Sequence, residues 1–178
     1  MSVKDRIISF YNAKTSRFFV LSALIYLFWF LLYDFFIKPK TLLDEKIISN
    51  IIFSTKRFLE LFSYKVYFTM EDINYQMIGI DGAHPIWIGG PCDGVAIMAI
   101  FLIFVSAFPG NQIHKLWYIP LGILLIHFIN VLRVAGLTLI NFYAPEYLDF
   151  NHNYTFTFLV YGFIFILWIT WVNKFSKR

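Results

Sequence analysis

The stretch that decides the fold is LWYIPLGILLIHFINVLRVAGLTLINFYA, residues 116–144. It is apolar for longer than the about 20 residues that a helix needs to cross a bilayer core. Polar side chains interrupt it at a few positions, among them His127, Asn130 and Arg133. It therefore predicts a membrane-spanning helix, at about residues 116–138, with one polar face.

The composition of the whole chain favours a membrane protein. Of the 178 residues, 59% are hydrophobic and 15% are charged, whereas a soluble domain carries about a quarter charged residues. This excludes a disordered chain, a disulfide scaffold and an ordinary cytosolic domain. The net charge of +4 comes from Lys and Arg at the edges of apolar runs. That placement indicates lipid headgroup contacts and no nucleic-acid surface.

Three further apolar runs predict spans at about residues 18–37, 94–108 and 155–172. We therefore expect an all-α integral membrane protein with about four transmembrane helices, forming one polytopic domain over residues 1–178. The first run is too long for a signal peptide and lacks a small-residue cleavage site, so we interpret it as an uncleaved anchor.

The segments between the first two spans predict two smaller elements. Residues 47–62 contain Lys56, Arg57 and Glu60, and each charge at the bilayer centre would cost roughly 2.5–3.5 kcal/mol. They therefore predict an interfacial amphipathic helix, with membrane insertion as the alternative. β-forming residues in the segment 64–90 predict a small, hairpin-like extracytoplasmic cap.

The distribution of cations predicts the orientation. Basic residues precede the first span and follow the last, which indicates cytoplasmic termini. The loop at residues 145–154 contains Glu146 and Asp149 but no Lys or Arg, which suits the outer face. Lys38 and Lys40, on the outer side of the first span, conflict with this pattern. We expect a multi-pass protein of the cell's inner (cytoplasmic) membrane.

This topology brings three reactive side chains to a similar depth. Cys92 lies at the outer start of the second span, and His152 at the outer start of the fourth. Arg133 lies about 25 Å along the third span at 1.5 Å per residue, close to the outer face of a core about 30 Å thick. We therefore predict one extracytoplasmic site that contains all three.

The third span also carries a polar stripe. At 100° per residue its polar side chains fall within an arc of about 140°, and such groups face a bundle interior or a wet cavity. Ordinary helix packing is the alternative for Thr138 and Asn141, and a satisfied interior histidine is the favoured interpretation of His127. An intramembrane Arg133 needs a partner. The stripe comprises His127, Asn130, Arg133, Thr138 and Asn141.

Cys92, the single cysteine, precedes a helix start at which Asp93 is a candidate N-cap. A helix N-terminus and a nearby Arg both stabilise thiolate. The adjacent Gly89 and Gly90 would let a peptide backbone approach. The alternative is an inert cysteine.

Three motifs resemble the exosortase and archaeosortase family of polytopic membrane cysteine transpeptidases. They are Pro91-Cys92-Asp93-Gly94, the Asn130-x-x-Arg133 element, and His152 between two asparagines. The family pattern is a Cys-x-Gly at the start of a span, an Asn-x-x-Arg inside the next, and a His at the start of another. The similarity covers about half the chain, residues 87–168. The short length is similar to compact exosortases of Bacteroidetes, including the type called exosortase F.

The resemblance implies that Cys92 is the nucleophile, Arg133 its electrostatic partner and His152 the acid/base. Asn130, Asp93, Gly94 and His127 are candidate supporting or substrate-binding residues. The implied substrates are secreted proteins with a C-terminal sorting signal, processed at the outer face of the cytoplasmic membrane. We expect two departures, Asp93 in place of a frequent Ser and the lack of extra N-terminal spans, to affect substrate identity more than reaction type.

No metal site and no cofactor are predicted, because His84, His114, His127 and His152 lack ligand spacing and no phosphate-binding loop is present. The expected partners are the membrane and the secreted substrates, and a small membrane partner protein is compatible with the sequence. The alternative function is a non-enzymatic subunit of a membrane complex or a small transporter component. In that case the polar stripe would line a helix contact or a solute path, and Cys92 would have no role.

Overall fold

The computed structural model describes residues 14–72, 75–89 and 92–176, and the chain is mostly helical. Several residues on which the predictions depend lie outside these ranges. They are Lys4 and Arg6 near the N-terminus, Lys177 and Arg178 at the C-terminus, and Gly90 and Pro91 beside Cys92.

Six α-helices form the framework of the described chain. A π-helical turn, Tyr33–Ile37, continues α1, and a second, Trp171–Phe175, continues α6. Between α4 and α6 the chain stays helical through a 3₁₀ turn at Pro145–Tyr147, the short α5 and a π turn at Asn151–Thr155. The helices are α1 Lys14–Leu32, α2 Leu43–Glu60, α3 Val95–Ala107, α4 Gln112–Tyr143, α5 Leu148–Phe150 and α6 Phe156–Thr170.

In the part of the chain that the structure describes, three helical segments are long and apolar enough to cross a membrane: Arg17–Ile37, Gln112–Tyr143 and Pro145–Phe175. They correspond to the predicted first, third and fourth spans. The predicted second span is the 13-residue α3, which is about 20 Å long and shorter than a bilayer core of about 30 Å. The fold is therefore compatible with a multi-pass membrane protein, and the count of four spans stays a prediction.

Helix α2 occupies the segment for which an amphipathic helix was predicted. One face is buried against α4 and the sheet and contains Ile48, Ile51, Ile52 and Leu59. Within that face the Thr55 hydroxyl donates to the backbone carbonyl of Val131, at 3.4 Å. Charged side chains, including the Lys56–Glu60 ion pair at 3.6 Å, stay partly exposed. The helix thus buries an apolar face within the protein.

A three-stranded antiparallel sheet follows α2, with strand order β1-β2-β3. The strands are β1 Val66–Asp72, β2 Tyr75–Ile80 and β3 Ile86–Ile88. Val66 pairs with Ile80, and Ile78 pairs with Ile86. The predicted hairpin is thus extended by a short third strand, which lies at the edge of the sheet.

Two apolar clusters hold these elements together. One joins α3, α4 and α6 around large aromatic side chains, including the fully buried Trp171. The other joins α2, the sheet and α4, and it contains Cys92. The cysteine therefore lies where the sheet meets α4.

Candidate active site

Cys92 and His152 meet in a cleft of about 290 Å³. The Cys92 Sγ lies 3.6 Å from Nε2 of His152, although 60 positions separate the two residues in the chain. The cysteine is 6% exposed, whereas the histidine is partly exposed. A thiol and an imidazole at this distance can exchange a proton, as nucleophilic cysteine catalysis requires.

The backbone around Cys92 is fixed by a tight turn. Its N–H donates to the carbonyl of Gly89 at 2.8 Å. Gly94 adopts a left-handed conformation, with φ of 77°, which glycine adopts at little cost. The Asp93 carboxylate accepts a hydrogen bond from the N–H of Val95 at 2.7 Å. Asp93 thus caps the first turn of α3 from one residue before the N-cap position, which Gly94 occupies.

Asn130 connects this turn to α4. Its Nδ2 donates to the backbone carbonyl of Cys92 at 2.6 Å, and the side chain is 1% exposed. A Cβ at Gly94 would lie 3.2 Å from that same Nδ2. The glycine of the Cys-x-Gly element therefore makes room for the asparagine of the Asn-x-x-Arg element.

The helical connection between α4 and α6 positions His152. The residue lies in the π turn Asn151–Thr155, and its carbonyl accepts a hydrogen bond from the Thr157 hydroxyl at 3.1 Å. A Cβ at Gly136 would lie 2.5 Å from Cζ of Phe156. The glycine thus lets α6 pack closely on α4, which brings the imidazole to the cysteine.

Arg133 lies one turn beyond Asn130 on the same helix and is 8% exposed. Among the described residues its buried Nε has no hydrogen-bond partner. Within residues 14–72, 75–89 and 92–176, its guanidinium makes neither a salt bridge nor a hydrogen bond with Cys92. The structure thus brings together Cys92 and His152. It places Arg133 one turn of α4 beyond Asn130, which bonds to the Cys92 carbonyl.

His127 is separated from the Cys92–His152 pair. Its Nε2 lies 2.9 Å from Oδ1 of Asn50 on α2, and it lines a different cleft together with Ser54 and Phe58. His127 thus has a hydrogen-bond partner on α2 and is only partly buried, and its interpretation as a satisfied interior histidine stays a prediction.

The carboxyl group of Asp93, in this turn, has a pKa above its ordinary value. Burial raises the pKa of this carboxyl group to about 6, the nearby Asp44 adds to the increase, and the N–H of Val95 and Lys38 oppose it. Tyr33, at the end of α1, donates a hydrogen bond to Asp44. The segment that follows α1 therefore lies within electrostatic reach of Asp93.

The walls of the cleft include residues that the sequence analysis did not assign to the site. Asn141 belongs to the predicted polar stripe, for which ordinary packing was the alternative, and its Nδ2 donates to the carbonyl of His84 at 2.5 Å. In the sequence, the position of Asn141 on the polar face of α4 was the feature that could have assigned it to the site. The three residues of β3 are too few to predict a strand. The added wall residues are Pro85, Ile86, Trp87, Ile88, Leu137, Asn141, Leu148 and Asp149.

Across the described ranges, no group of three or more His, Cys, Asp or Glu side chains is arranged to hold a metal ion. Comparisons with known proteins add no relative: no family model, curated protein or solved structure matches the chain. The resemblance to exosortases therefore depends on the three motifs. Residues of those motifs contact one another in the structure: Cys92 contacts both His152 and Asn130.

Proposed function

We propose that this chain is a membrane cysteine protease or transpeptidase of the exosortase type. It would cleave secreted proteins near a C-terminal sorting signal and transfer the new C-terminus to an acceptor. The observation that carries the proposal is the 3.6 Å approach of Cys92 Sγ to His152 Nε2 inside a cleft. The imidazole reaches Cys92 from the π turn Asn151–Thr155, 60 positions along the chain. A cysteine that only fills the core does not require such a partner.

The reaction follows from this pair in balanced steps. His152 takes the thiol proton, and the Cys92 thiolate attacks the scissile carbonyl carbon, forming a C–S bond and an oxyanion. Collapse of the oxyanion breaks the C–N bond, and the imidazolium gives its proton to the leaving amine. An acceptor amine or water then attacks the thioester and gives a proton to His152, and Cys92 leaves as thiolate.

Arg133 would supply positive charge to this chemistry. Within the described ranges its Nε is buried without a hydrogen-bond partner and the side chain is not part of the cleft wall. Its charge would therefore stabilise the Cys92 thiolate and the developing oxyanion through space, without direct contact.

The proposal includes an orientation in the membrane. Four crossings, with α3 as the short second one, would put Cys92 and His152 on the extracytoplasmic side, where the sheet would form a cap. Reporter fusions after Ile37, Gly110, Asn151 and Arg178 test this arrangement. A cytoplasmic signal from the fusion after Asn151 would contradict it.

The decisive experiment compares the C-termini of secreted proteins, by mass spectrometry, in the native host with and without this chain. We expect trimmed or conjugated C-termini that disappear on deletion and return with wild-type protein but not with Cys92→Ala. His152→Ala should fail in the same way. His84→Ala is the matched control, because that side chain is exposed and the hydrogen bond of this residue involves its backbone carbonyl.

The same strains test the alternative of a non-enzymatic subunit. That function predicts full complementation by Cys92→Ala and slow alkylation of the wild-type thiol near neutral pH. The proposed enzyme predicts a fast-reacting thiol.

A further inference from the structure

We propose that the substrate binds in an extended conformation as a fourth strand of the sheet, paired with the edge strand β3. This strand addition would deliver the scissile peptide bond to Cys92. The inference rests on the proposed function and adds to it the mode of substrate recognition.

The position of β3 is the first observation. The strand is the last in the order β1-β2-β3, and it pairs with β2 on one side. Residues Pro85 to Ile88 form one wall of the cleft that contains Cys92 and His152. A strand at the edge of a sheet is a template for an added strand, and this edge adjoins the reactive pair.

The connection from β3 to the nucleophile is the second observation. The strand ends at Ile88, and the carbonyl of the next residue, Gly89, accepts the hydrogen bond from the N–H of Cys92. At about 3.3 Å per residue, β3 is about 10 Å long and offers pairing to about three substrate residues. A peptide paired along β3 would therefore lie in the cleft that the Cys92 side chain also lines.

The character of the cleft is the third observation. Its walls are largely apolar, with Asn141, Asp149 and His152 as the polar side chains. An extended peptide that enters such a cleft must find partners for its backbone N–H and C=O groups. Strand addition satisfies them and leaves alternate side chains to set specificity. Ile86 and Ile88 are buried in the core, whereas Trp87 is 64% exposed and can contact those side chains.

The test modifies the ligand, so that the fold of the protein is not altered. The probe is acetyl-tetraalanine chloromethyl ketone, which alkylates a thiolate with loss of chloride, applied to the full-length protein in detergent micelles. Four further probes each carry one N-methylated amide. Because Cys92 is the single cysteine, the labelling rate reports on this site, and Cys92→Ala gives the background.

We expect N-methylation to slow labelling about tenfold or more at alternate positions, where the amide would donate to β3. At the intervening positions the rate should change less than about twofold, because those amides point away from the strand. The alternation is the signature of pairing, and side-chain binding alone does not produce it.

Equal sensitivity at all four positions would overturn the inference and indicate that side chains alone are recognised. Labelling by the peptide no faster than by chloroacetamide would also overturn it. In either case fast alkylation of Cys92 by chloroacetamide leaves the proposed function standing. Slow alkylation by both reagents would instead contradict the proposed function itself.

Discussion

Replacing Asn130 with alanine should loosen the turn that carries Cys92 and reduce processing without preventing membrane insertion. The substitution removes the 2.6 Å hydrogen bond to the backbone carbonyl of Cys92. That carbonyl then lies buried without this donor, which costs about 1–3 kcal/mol. The Oδ1 of Asn130 is itself buried and has no hydrogen-bond partner in the described ranges, so its removal offsets part of the cost. We therefore expect a net loss of about 1–2 kcal/mol in the free energy of unfolding.

The loss of activity should exceed the loss of stability. The Asn130 bond fixes the register of the cysteine against His152, and a misplacement of about 1 Å can reduce a rate about a hundredfold. We expect processing to fall more than about tenfold in Asn130→Ala at an unchanged protein level. Asn130→Asp should be worse than alanine, because it replaces the donor with a buried acceptor.

Chemical unfolding in detergent micelles, together with C-terminal processing in cells, measures both effects. Asn141→Ala is the matched control, since it removes an amide-to-carbonyl hydrogen bond from the same helix at a more exposed position. We expect it to cost about 0.5–1 kcal/mol. If Asn130→Ala unfolds and processes like the wild type, or loses no more stability than Asn141→Ala, the bond does not position the cysteine.

Four further predictions concern the neighbours of Cys92. His152→Ala should abolish turnover while leaving protein level and membrane insertion unchanged, and normal processing would make it an ordinary loop histidine. Arg133→Ala should slow alkylation of Cys92 near pH 7. Arg133→Lys should restore thiol reactivity better than turnover, because lysine keeps the positive charge but lacks the planar guanidinium. Identical pH profiles of Cys92 alkylation in the wild type and both variants would refute the electrostatic role. The pKa of Asp93 is raised to about 6, so protonation favours the fold and stability should fall as the pH rises from about 4 through 6. Unfolding at pH 5 and 7.5 should show this decrease in the wild type and not in Asp93→Asn. Gly94→Ala should destabilise by about 1–2 kcal/mol in the same unfolding assay, because alanine is strained at φ of 77°.

The sequence predicted the elements better than their lengths. The spacing of apolar residues and the positions of charges in residues 47–62 depend on that segment alone. They predicted a helix there, and α2 occupies the segment. The segment 94–108 is apolar throughout, but Gly94 at its start and the extended backbone of Phe108 before Pro109 limit α3 to 13 residues. Backbone geometry at two ends, rather than hydropathy, sets that length.

The candidate site was predictable in part. The lengths of the apolar runs and the distribution of charges predicted a common membrane depth for Cys92 and His152, because depth depends on the number of residues along a helix. In the structure the two side chains lie 3.6 Å apart. The hydrogen bond from Asn130 to the carbonyl of Cys92 depends on the rotation of α4 against the turn, which no single segment encodes. The same holds for the π turn that aims His152 and for β3, whose three residues become a strand by pairing with β2.

The length of α4 has a consequence for the membrane itself. Its 32 residues extend about 48 Å, which exceeds a hydrocarbon core of about 30 Å. If Gln112 lies at one interface, Leu137 and Asn141 lie on the part of the helix that projects beyond the other, and the cleft projects with them. Lipids with longer acyl chains would draw that overhang into hydrocarbon, and shorter chains would raise it into water. Access of water to the cleft would then depend on bilayer thickness.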